Sequence, residues 1–279
     1  REINKARTTF IESITKHSHR GRIHAEIHQM RSDQGGTVTG RFSYSNPNLQ
    51  QIPARHGILG PLIRSIFVPE KDCEWGIFDY SQQEPRLVVH YASLRHFTGA
   101  GKFVDSYQED QTTDFHTMVS DMADIPRKQA KTINLGLFYG MGKGKLMSQL
   151  GVNLDTASEL LAAYNERVPF VKQLMNDTMN KAGKKGYLST LEGRRCRFDL
   201  WEPTNEWGQK ALPLEQARQQ YGEHMIKRAW TYKALNRLIQ GSAADQTKKA
   251  MLELDKEGYL AHIQVHDELD FSVASDADK

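Results

Sequence analysis

The chain has 279 residues, 38% of them hydrophobic and 25% charged, with a formal net charge of +3. This length and composition allow a sizeable core, in one large domain or two smaller ones. No apolar run approaches membrane-spanning length and no signal peptide is visible. The mildly basic charge is compatible with nucleic acid but is not diagnostic.

The basic residues are concentrated in two stretches, which are either solvated surface or contacts for a phosphate backbone. They are Arg1, Lys5, Arg7, Lys16, Arg20 and Arg22, then Lys181, Lys184, Lys185, Arg194, Arg195 and Arg197. Cys73 and Cys196 lie far apart without metal-like spacing, which predicts free thiols in a reducing compartment. Because the chain starts at Arg1 rather than Met, we expect a fragment of a longer protein.

The first third of the chain predicts a loop, a strand and a helix. Residues 35–53 are rich in Gly, Ser, Asn and Pro and predict an extended loop. Cys73–Asp79 predicts a short strand. The next residues, Ser81 to Glu84, have the form of a capping box and predict a helix that runs through Leu94. If the Glu84 carboxylate were needed elsewhere, it would make no capping hydrogen bond.

Residues 114–182 predict mostly helix, ending near Gly183. Within this stretch Arg127, Lys131, Leu135 and Tyr139 recur every four residues and form one stripe on a helix that follows Pro126. Its two cations lie at the N-terminal end, where the helix dipole is already positive, and this suits a bound polyanion. The apolar and aromatic residues beyond them suit a base. The stripe therefore indicates a nucleotide site, and the alternative is a solvated cationic face.

The last hundred residues predict both hairpins and helices. The elements are a hairpin over Gly186–Phe198 around Glu192-Gly193, an irregular then helical region over 202–227, one or two helices over 229–257 interrupted at Gln240-Gly241 and stopped by Gly258, and strands at Ile263–Val265 and Leu269–Val273. The pattern predicts an α+β protein with a small sheet that bears acidic residues and a long helical insertion.

Acidic residues follow two of the predicted strands. Asp79 ends one strand, and Asp267-Glu268 lie between the last two. If these two residues formed a tight turn, Asp-Glu would be an unfavourable sequence for it. If the two strands were instead one continuous strand, the Asp267 side chain would lie on its apolar face. In either geometry the carboxylate requires a positively charged partner. Strand-end carboxylates are typical Mg²⁺ ligands. We therefore predict that Asp79 and Asp267 bridge two Mg²⁺ ions and face the cationic stripe, and the alternative is a solvated acidic turn.

Five segments resemble the motifs of one enzyme family. Asp79–Arg86 resembles motif A of the family A (pol I-like) DNA polymerases, Arg127–Gly140 looks like motif B, and Val265–Glu268 looks like motif C. Two further signatures are Thr39–Ser43 with Asn46–Gln50, and Asn236 with Gln240-Gly241. All five occur in family order over residues 39–268.

The resemblance implies specific roles at the reaction centre. Asp79 and Asp267 would hold the metals, assisted by the backbone carbonyl of Tyr80, with Glu268 close by. Lys131 would bind the triphosphate and is a candidate proton donor to pyrophosphate. The further residues implied in nucleotide binding are Arg127, Leu135, Tyr139, Glu84, Gln82 and His116. Those implied in DNA binding are Arg41, Asn236 and Gln240 in the minor groove and His266 near the primer end.

The resemblance also implies a right-hand polymerase fold, with a palm on a small antiparallel sheet, mostly helical fingers and a largely absent thumb. The expected domains are the end of the thumb (1–30), palm with motif A (31–112), fingers with motif B (113–228) and truncated palm with motif C (229–279). The implied activity is two-metal addition of deoxynucleotides to a primer 3′-OH, with release of pyrophosphate. Primer-template DNA and deoxynucleoside triphosphates are the expected partners, and accessory replication proteins are possible further ones. The protein is expected to be a monomer without membrane contact, in the cytoplasm of a bacterial or phage-infected cell.

Two positions depart from the common family pattern. Leu135 stands where cellular members usually carry Phe or Tyr, which indicates a viral subgroup, and Tyr232 stands where many members have Arg. A single-subunit RNA polymerase-like enzyme and a non-catalytic nucleic-acid-binding protein are the alternatives. A phosphate loop at Gly140–Lys145 is rejected, because Leu146 follows the lysine and a helix precedes the segment.

Overall fold

The fold, taken from a computed structural model, is described for residue 4 and for residues 6–30, 35–53, 56–206 and 208–275. It comprises two compact units. Unit 1 falls within residues 1–80 and 244–279, and unit 2 is the continuous segment 81–243. None of the helices in these ranges is both long and apolar enough to cross a membrane.

The described residues form helices along the whole chain. After a π-helical turn at Ala6–Glu12, the α-helices are α1 (Ser13–Thr15), α2 (Leu59–Arg64), α3 (Gln83–Ser93), α4 (Ala100–Glu109), α5 (Phe115–Ala123), α6 (Arg127–Phe138), α7 (Lys143–Leu150), α8 (Leu154–Arg167), α9 (Pro169–Lys185), α10 (Leu214–Tyr221) and α11 (Ala234–Lys256). Short 3₁₀ turns occur at Leu49–Gln51, Glu223–Met225 and Thr231–Lys233.

Every described strand pair is antiparallel. The strands are β1 (Ser18–His19), β2 (Arg22–Ile23), β3 (Glu26–His28), β4 (Ser43–Ser45), β5 (Cys73–Asp79), β6 (Tyr187–Ser189), β7 (Arg195–Arg197), β8 (Leu200–Pro203), β9 (Leu212–Pro213), β10 (Ile226–Arg228), β11 (Ile263–Val265) and β12 (Glu268–Ala274). They form the sheets β1-β2, β3-β4, β6-β7, β10-β8-β9 and β11-β12-β5.

Unit 1 carries the acidic sheet that the sequence predicted. β12 is its central strand, with β11 and β5 on either side. Val265 pairs with Glu268, so the turn between β11 and β12 consists of His266 and Asp267 alone. His266 supplies the left-handed backbone conformation that the turn requires, with φ +59°. Asp267 is therefore a turn residue, and of the two geometries left open by the sequence this excludes the continuous strand.

Unit 2 contains a large hydrophobic core. Its helices bury an aromatic cluster of Phe103, Phe115, Phe138 and Phe170. Phe103 and Phe115 have ring centroids 5.0 Å apart, and Phe103 and Phe170 form an edge-to-face pair at 5.1 Å, which is a favourable arrangement for aromatic rings. This cluster fixes the relative positions of α4, α5, α6 and α9.

The predicted capping box at Ser81–Glu84 is wrong, although the helix itself is confirmed. Gln82 occupies the N-cap position of α3 in the left-handed conformation and makes no side-chain cap hydrogen bond. Glu84 instead accepts a hydrogen bond from the Tyr139 hydroxyl. Both side chains are thus used for contacts outside the helix terminus.

The predicted break at Gln240-Gly241 is also wrong, because α11 runs without interruption from Ala234 to Lys256. Gly241 serves close packing instead: a Cβ there would lie 3.1 Å from the side chains of Thr190 and Arg194. Similarly, α9 passes Gly183 and ends at Lys185, where Gly186 has φ +78°.

Several short strands were not predicted. β4 lies inside the segment 35–53 expected to be loop, and it pairs with β3. Residues 202–227, expected to be irregular and then helical, contain α10 but also parts of the β10-β8-β9 sheet. Strands of two to four residues are too short to produce a readable alternation of apolar and polar side chains.

Candidate functional site

The carboxylates predicted to bind metal meet at one end of the β11-β12-β5 sheet. Asp79, the last residue of β5, is directly paired with Glu268, the first residue of β12. The next residue, Tyr80, donates its backbone N–H to the carbonyl of Asp267 at 3.3 Å. The end of β5 is therefore tied to the turn that carries Asp267, and Asp79 and Glu268, 189 positions apart in the chain, become neighbours.

This acidic end is electrostatically strained. Burial raises the pKa of the Asp79 carboxyl, and the charge of Asp267 raises it further. Burial likewise raises the pKa of Glu268; Arg64 opposes this, and the charges of Asp79 and Asp267 add to it. Directly opposed like charges destabilise a strand pair. A bound cation would relieve the repulsion.

The donor set fits a hard divalent cation. Asp79 has no basic partner among the residues that the structure describes. No group of three or more His, Cys, Asp or Glu in the described ranges has a complete metal-binding arrangement. Mg²⁺ ordinarily takes only one or two carboxylates and fills its other positions with water and substrate phosphates. Two aspartates are therefore a sufficient protein contribution.

A small cleft in unit 1 brings together two residues predicted to contact DNA. Arg41 and His266 line it together with Phe42, Lys248 and Gln264, among others. Gln264 Nε2 donates to the carbonyl of His266 at 2.6 Å, which holds the turn, and Lys248 Nζ lies 4.5 Å from the Phe42 ring centroid. The cleft is lined by the basic side chains of Arg41 and Lys248, next to the turn that carries Asp267.

In unit 2, α6 begins after Pro126 as predicted, and its cationic residues have different environments. Arg127 Nη2 forms an ion pair with Asp114 Oδ2 at 2.6 Å and its Nε donates to the Thr117 hydroxyl. Lys131 is exposed and forms no ion pair with a described residue. Lys131 is thus the cation available to a new anion, whereas Arg127 is held in place by Asp114.

The aromatic end of the stripe is fixed by an acidic residue. The Tyr139 hydroxyl donates to Glu84 Oε2 at 2.9 Å. Glu84 lies in the first turn of α3, and Tyr139 follows the last residue of α6. Leu135 lies one turn before Tyr139 and is half-buried. The contact joins the two helices at the place where the sequence predicted sugar and base contacts.

His116 lies inside unit 2 rather than on its surface. Its Nδ1 is 2.9 Å from Asn134 Nδ2, and the Tyr164 hydroxyl donates to Asn134 Oδ1 at 2.6 Å. Burial lowers the pKa of His116 to about 4; the charge of Asp114 opposes this and that of Lys131 adds to it. The imidazole is therefore neutral at neutral pH.

Gln82 has a structural role that the sequence did not indicate. Its Oε1 accepts the backbone N–H of Phe115 at 2.7 Å, and its Nε2 donates to the carbonyl of Thr113 at 2.9 Å. Gln82 thereby positions the start of α5, which carries His116.

Two further residues predicted to contact DNA, Asn236 and Gln240, are both half-buried and one turn apart on α11, so they share one face.

Four residues that shape these sites were not predicted from the sequence: Asp114, Asn134, Tyr164 and Arg64. Asp114 was readable as a helix N-cap, and it does accept the Thr117 N–H at 2.7 Å. Asn134 and Tyr164 are separated by thirty positions and had no local signal. Arg64, which acts on the charges of Glu268 and Asp270, lies in a segment without distinctive pattern.

A family model described as DNA polymerase family A matches residues 1–279, so the chain belongs to this family. The resemblance inferred from the five motifs is confirmed.

Particular relatives support the assignment. The chain is 38% identical to a DNA-directed DNA polymerase of Pseudomonas phage M6 over 98% of its own length and 45% of the phage protein. It is 34% identical to DNA polymerase I of Geobacillus stearothermophilus over 96% of its own length and 29% of that enzyme. The chain therefore spans less than half the length of these relatives.

Solved structures agree. The fold resembles the polymerase domain of Pol1 from M. smegmatis, determined in complex with a DNA primer-template and dNTP, with a TM-score of 0.76 and 29% identity over 99% of this chain and 46% of that one. The expected α+β fold of a family A polymerase domain is confirmed, with small antiparallel sheets and a mostly helical remainder.

Proposed function

We propose that the protein is a template-directed DNA polymerase that adds deoxynucleotides to a primer 3′-OH and releases pyrophosphate. Membership of family A and the presence of Asp79, Asp267 and Lys131 support this activity. The RNA polymerase-like alternative is not favoured, because the matched family and the relatives named above are DNA polymerases.

The observation that carries the proposal is the meeting of Asp79, Asp267 and Glu268 at one end of a sheet. Asp79 and Asp267, with the backbone carbonyl of Tyr80, would hold two Mg²⁺ ions, and Glu268 would lie close by. When bound, such ions activate a hydroxyl nucleophile and stabilise the leaving oxygen of a phosphoryl transfer. The carboxylates of this chain orient that chemistry, and their mutual repulsion favours a divalent cation.

The α6 stripe is proposed as the nucleotide-binding surface. Lys131 and Arg127 would bind the triphosphate, and Lys131 would donate a proton to the departing pyrophosphate, as a cation close to developing negative charge can. Leu135, Tyr139 and Glu84 would contact the base and sugar. His116 would contact phosphate, and Gln82 is also proposed as a nucleotide contact.

Four further residues are proposed to contact DNA. Arg41, Asn236 and Gln240 would read acceptors in the minor groove, which correct base pairs offer in similar positions. His266 would lie near the primer end. In domain terms, residues 31–112 and 229–279 would act as the palm and residues 113–228 as the fingers, with residues 1–30 leading in from the thumb.

Primer extension with Asp79→Asn tests the metal assignment. This variant keeps the size and polarity of the side chain but removes the negative charge. We expect at least a hundredfold loss of extension rate with Mg²⁺, while the fraction of primer-template bound changes less than twofold.

The matched control is Asp72→Asn, an exposed aspartate just before the other end of β5. Its extension rate should equal that of the unmodified protein. Near-normal turnover of Asp79→Asn, or an equal loss in the two variants, would refute the two-metal proposal.

A further inference from the structure

Three side chains from three helices form a hydrogen-bonded chain inside unit 2. Tyr164 on α8 is bonded to Asn134 on α6, and Asn134 is bonded to His116 on α5, at 2.6 Å and 2.9 Å. Tyr164 and Asn134 are fully buried and His116 is only 6% exposed. Because water does not reach the inner two residues, the phenol hydrogen of Tyr164 must find its acceptor within the hydrogen-bonded chain.

Tyr164 sets the direction of these bonds. Its phenol hydrogen has Asn134 Oδ1 as its acceptor. Burial raises the pKa of Tyr164 far above its usual value, so the hydroxyl remains a donor. Reversing the Asn134 amide would leave the phenol hydrogen buried without an acceptor, which is unfavourable. The amide nitrogen of Asn134 therefore faces His116.

The tautomer of His116 follows from this orientation. An amide nitrogen can only donate, so Nδ1 of His116 accepts and carries no proton. The proton of the neutral ring is then on Nε2. Nε2 is bonded to no described residue, and it is not among the side-chain atoms sealed from solvent without a partner. The ring thus offers one N–H donor outward.

The ring is neutral because it is buried, and the charged groups around it act in both directions. Burial is the main cause of its low pKa, and it acts together with the positive charges of Lys131 and Arg127 on α6. Asp114, which precedes α5, acts in the opposite direction, but it is engaged by Arg127. A nucleotide phosphate at this place would meet two cations and one neutral, directional donor.

We infer that Tyr164 and Asn134 are positioning residues that fix His116 as its neutral Nε2–H tautomer, so that this N–H donates to an anionic oxygen of a nucleoside triphosphate. The inference rests on the proposed function for the identity of the ligand. The hydrogen-bonded chain supplies the direction of the donor, and Lys131 with Arg127 supplies the charge.

The first test reads the tautomer directly. Nitrogen-15 NMR of histidine-labelled protein, assigned with His116→Gln, should show the proton on Nε2 at pH 7 and no titration above pH 5. Asn134→Asp replaces the donor with a second acceptor, so the proton should move to Nδ1 and the titration midpoint should rise above pH 6. Tyr164→Phe removes the orienting hydroxyl and should give a mixture of tautomers. A wild-type ring that is charged or protonated on Nδ1 at pH 7 would overturn the inference.

The matched control is Tyr91→Phe. Tyr91 is also a buried tyrosine of unit 2, with its hydroxyl 2.7 Å from the Ser242 hydroxyl, but it lies outside the hydrogen-bonded chain. This variant should keep the wild-type spectrum of His116. A tautomer change as large as that of Tyr164→Phe would mean that core disturbance, not the hydrogen-bonded chain, sets the proton, and would overturn the inference.

The second test reads the ligand. Tripolyphosphate and a deoxynucleoside triphosphate should each shift the Nε2–H signal. In primer extension, Asn134→Asp should raise the KM for the nucleotide at least fivefold, with kcat changed less than twofold and a new step in the KM profile between pH 6 and 8. A flipped tautomer with unchanged KM and unchanged tripolyphosphate binding would overturn the inference. A wild-type protein that shows the tripolyphosphate shift but extends no primer would refute the proposed function and leave the inference standing.

Discussion

At the scale of single residues, the contact between Glu84 and Tyr139 leads to a specific functional prediction. Glu84 begins α3 only five positions after Asp79, and its carboxylate accepts the Tyr139 hydroxyl at 2.9 Å. A ribose 2′-hydroxyl placed there would compete with this bond and meet the carboxylate. Leaving a polar group without its partner is an effective way to reject a substrate. Tyr139 is 40% exposed, so the effect is moderated by water.

We predict that Glu84→Ala raises the incorporation of ribonucleotides relative to deoxyribonucleotides at least tenfold, which corresponds to about 1.4 kcal/mol. The alanine methyl group leaves room for the 2′-hydroxyl. Because alanine makes no hydrogen bond to Tyr139, a bound ribonucleotide would break none. Single-nucleotide extension with matched ribo- and deoxyribonucleotides measures the ratio of kcat/KM. Glu109→Ala, which removes an exposed carboxylate at the end of α4, is the control. Equal losses with both sugars would show that Glu84 is structural and not a gate.

At the scale of elements, Gly140 determines how closely the end of α6 approaches the turn before α11. Its φ is +68°, and a Cβ at this position would lie 2.5 Å from the carbonyl oxygen of Tyr232. The same glycine follows Tyr139, so the close approach lies immediately beside the Glu84 contact. A side chain at residue 140 would have to push the Tyr232 backbone away.

We expect Gly140→Ala to lower the free energy of unfolding by about 2–4 kcal/mol, from left-handed strain and from steric overlap. Urea denaturation followed by circular dichroism measures the loss. Gly151→Ala is a closely matched control, since Gly151 also has φ +68° but would place its Cβ more than 4 Å from any neighbour. The difference between the two variants isolates the contact with Tyr232. Similar losses in both would mean that the close approach contributes nothing.

Elements with a strong local signal could be predicted from the sequence. The β5 strand, the α6 helix after Pro126 and the β6-β7 hairpin around Gly193 all form where they were expected. The predicted helix break at Gln240-Gly241 was wrong, because a glycine that serves close packing looks the same in sequence as one that ends a helix. The short strands β8, β9 and β10 were not predicted, because their pairing depends on partners up to 27 residues away.

The residues of the candidate site also differ in whether the sequence could predict them. The acidic residues and the α6 stripe were readable because they lie in contiguous motifs. The partners that orient them were not: Asp114 binds Arg127 across 13 positions, and Tyr164 binds Asn134 across 30. The groups that do chemistry are easier to recognise in a single sequence than the groups that hold them, because positioning contacts exist only in three dimensions.

At the scale of the whole molecule, the two compact units differ in their cores. The main cluster of buried apolar residues lies wholly within unit 2, which is continuous in sequence. In unit 1 the sheet residues Ile77 and Phe78 remain more than half exposed. A continuous segment with its own large core has the properties of an independent folding domain.

We therefore predict that a polypeptide of residues 81–243 folds alone. It should retain a helical circular dichroism spectrum and unfold in urea in a single cooperative transition. A polypeptide of residues 1–80 is the comparison, and it should lack such a transition because it contains only part of unit 1. A gradual loss of ellipticity in the 81–243 fragment, with binding of a hydrophobic dye, would show that its core is not sufficient.

The pairing of β5 with β12 places a constraint on chain length as well as on residue type. The seven paired positions run from Cys73 with Ala274 to Asp79 with Glu268, and the turn that precedes β12 has only two residues. Side chains alternate between faces, so a shift of one residue in this pairing would send Glu268 to the opposite face of the sheet from Asp79. Substitutions in the hairpin leave this alignment in place, whereas one inserted or deleted residue does not. Over evolutionary time the segment 263–274 is therefore expected to keep a constant number of residues, while residue types change more freely at positions other than Asp267 and Glu268.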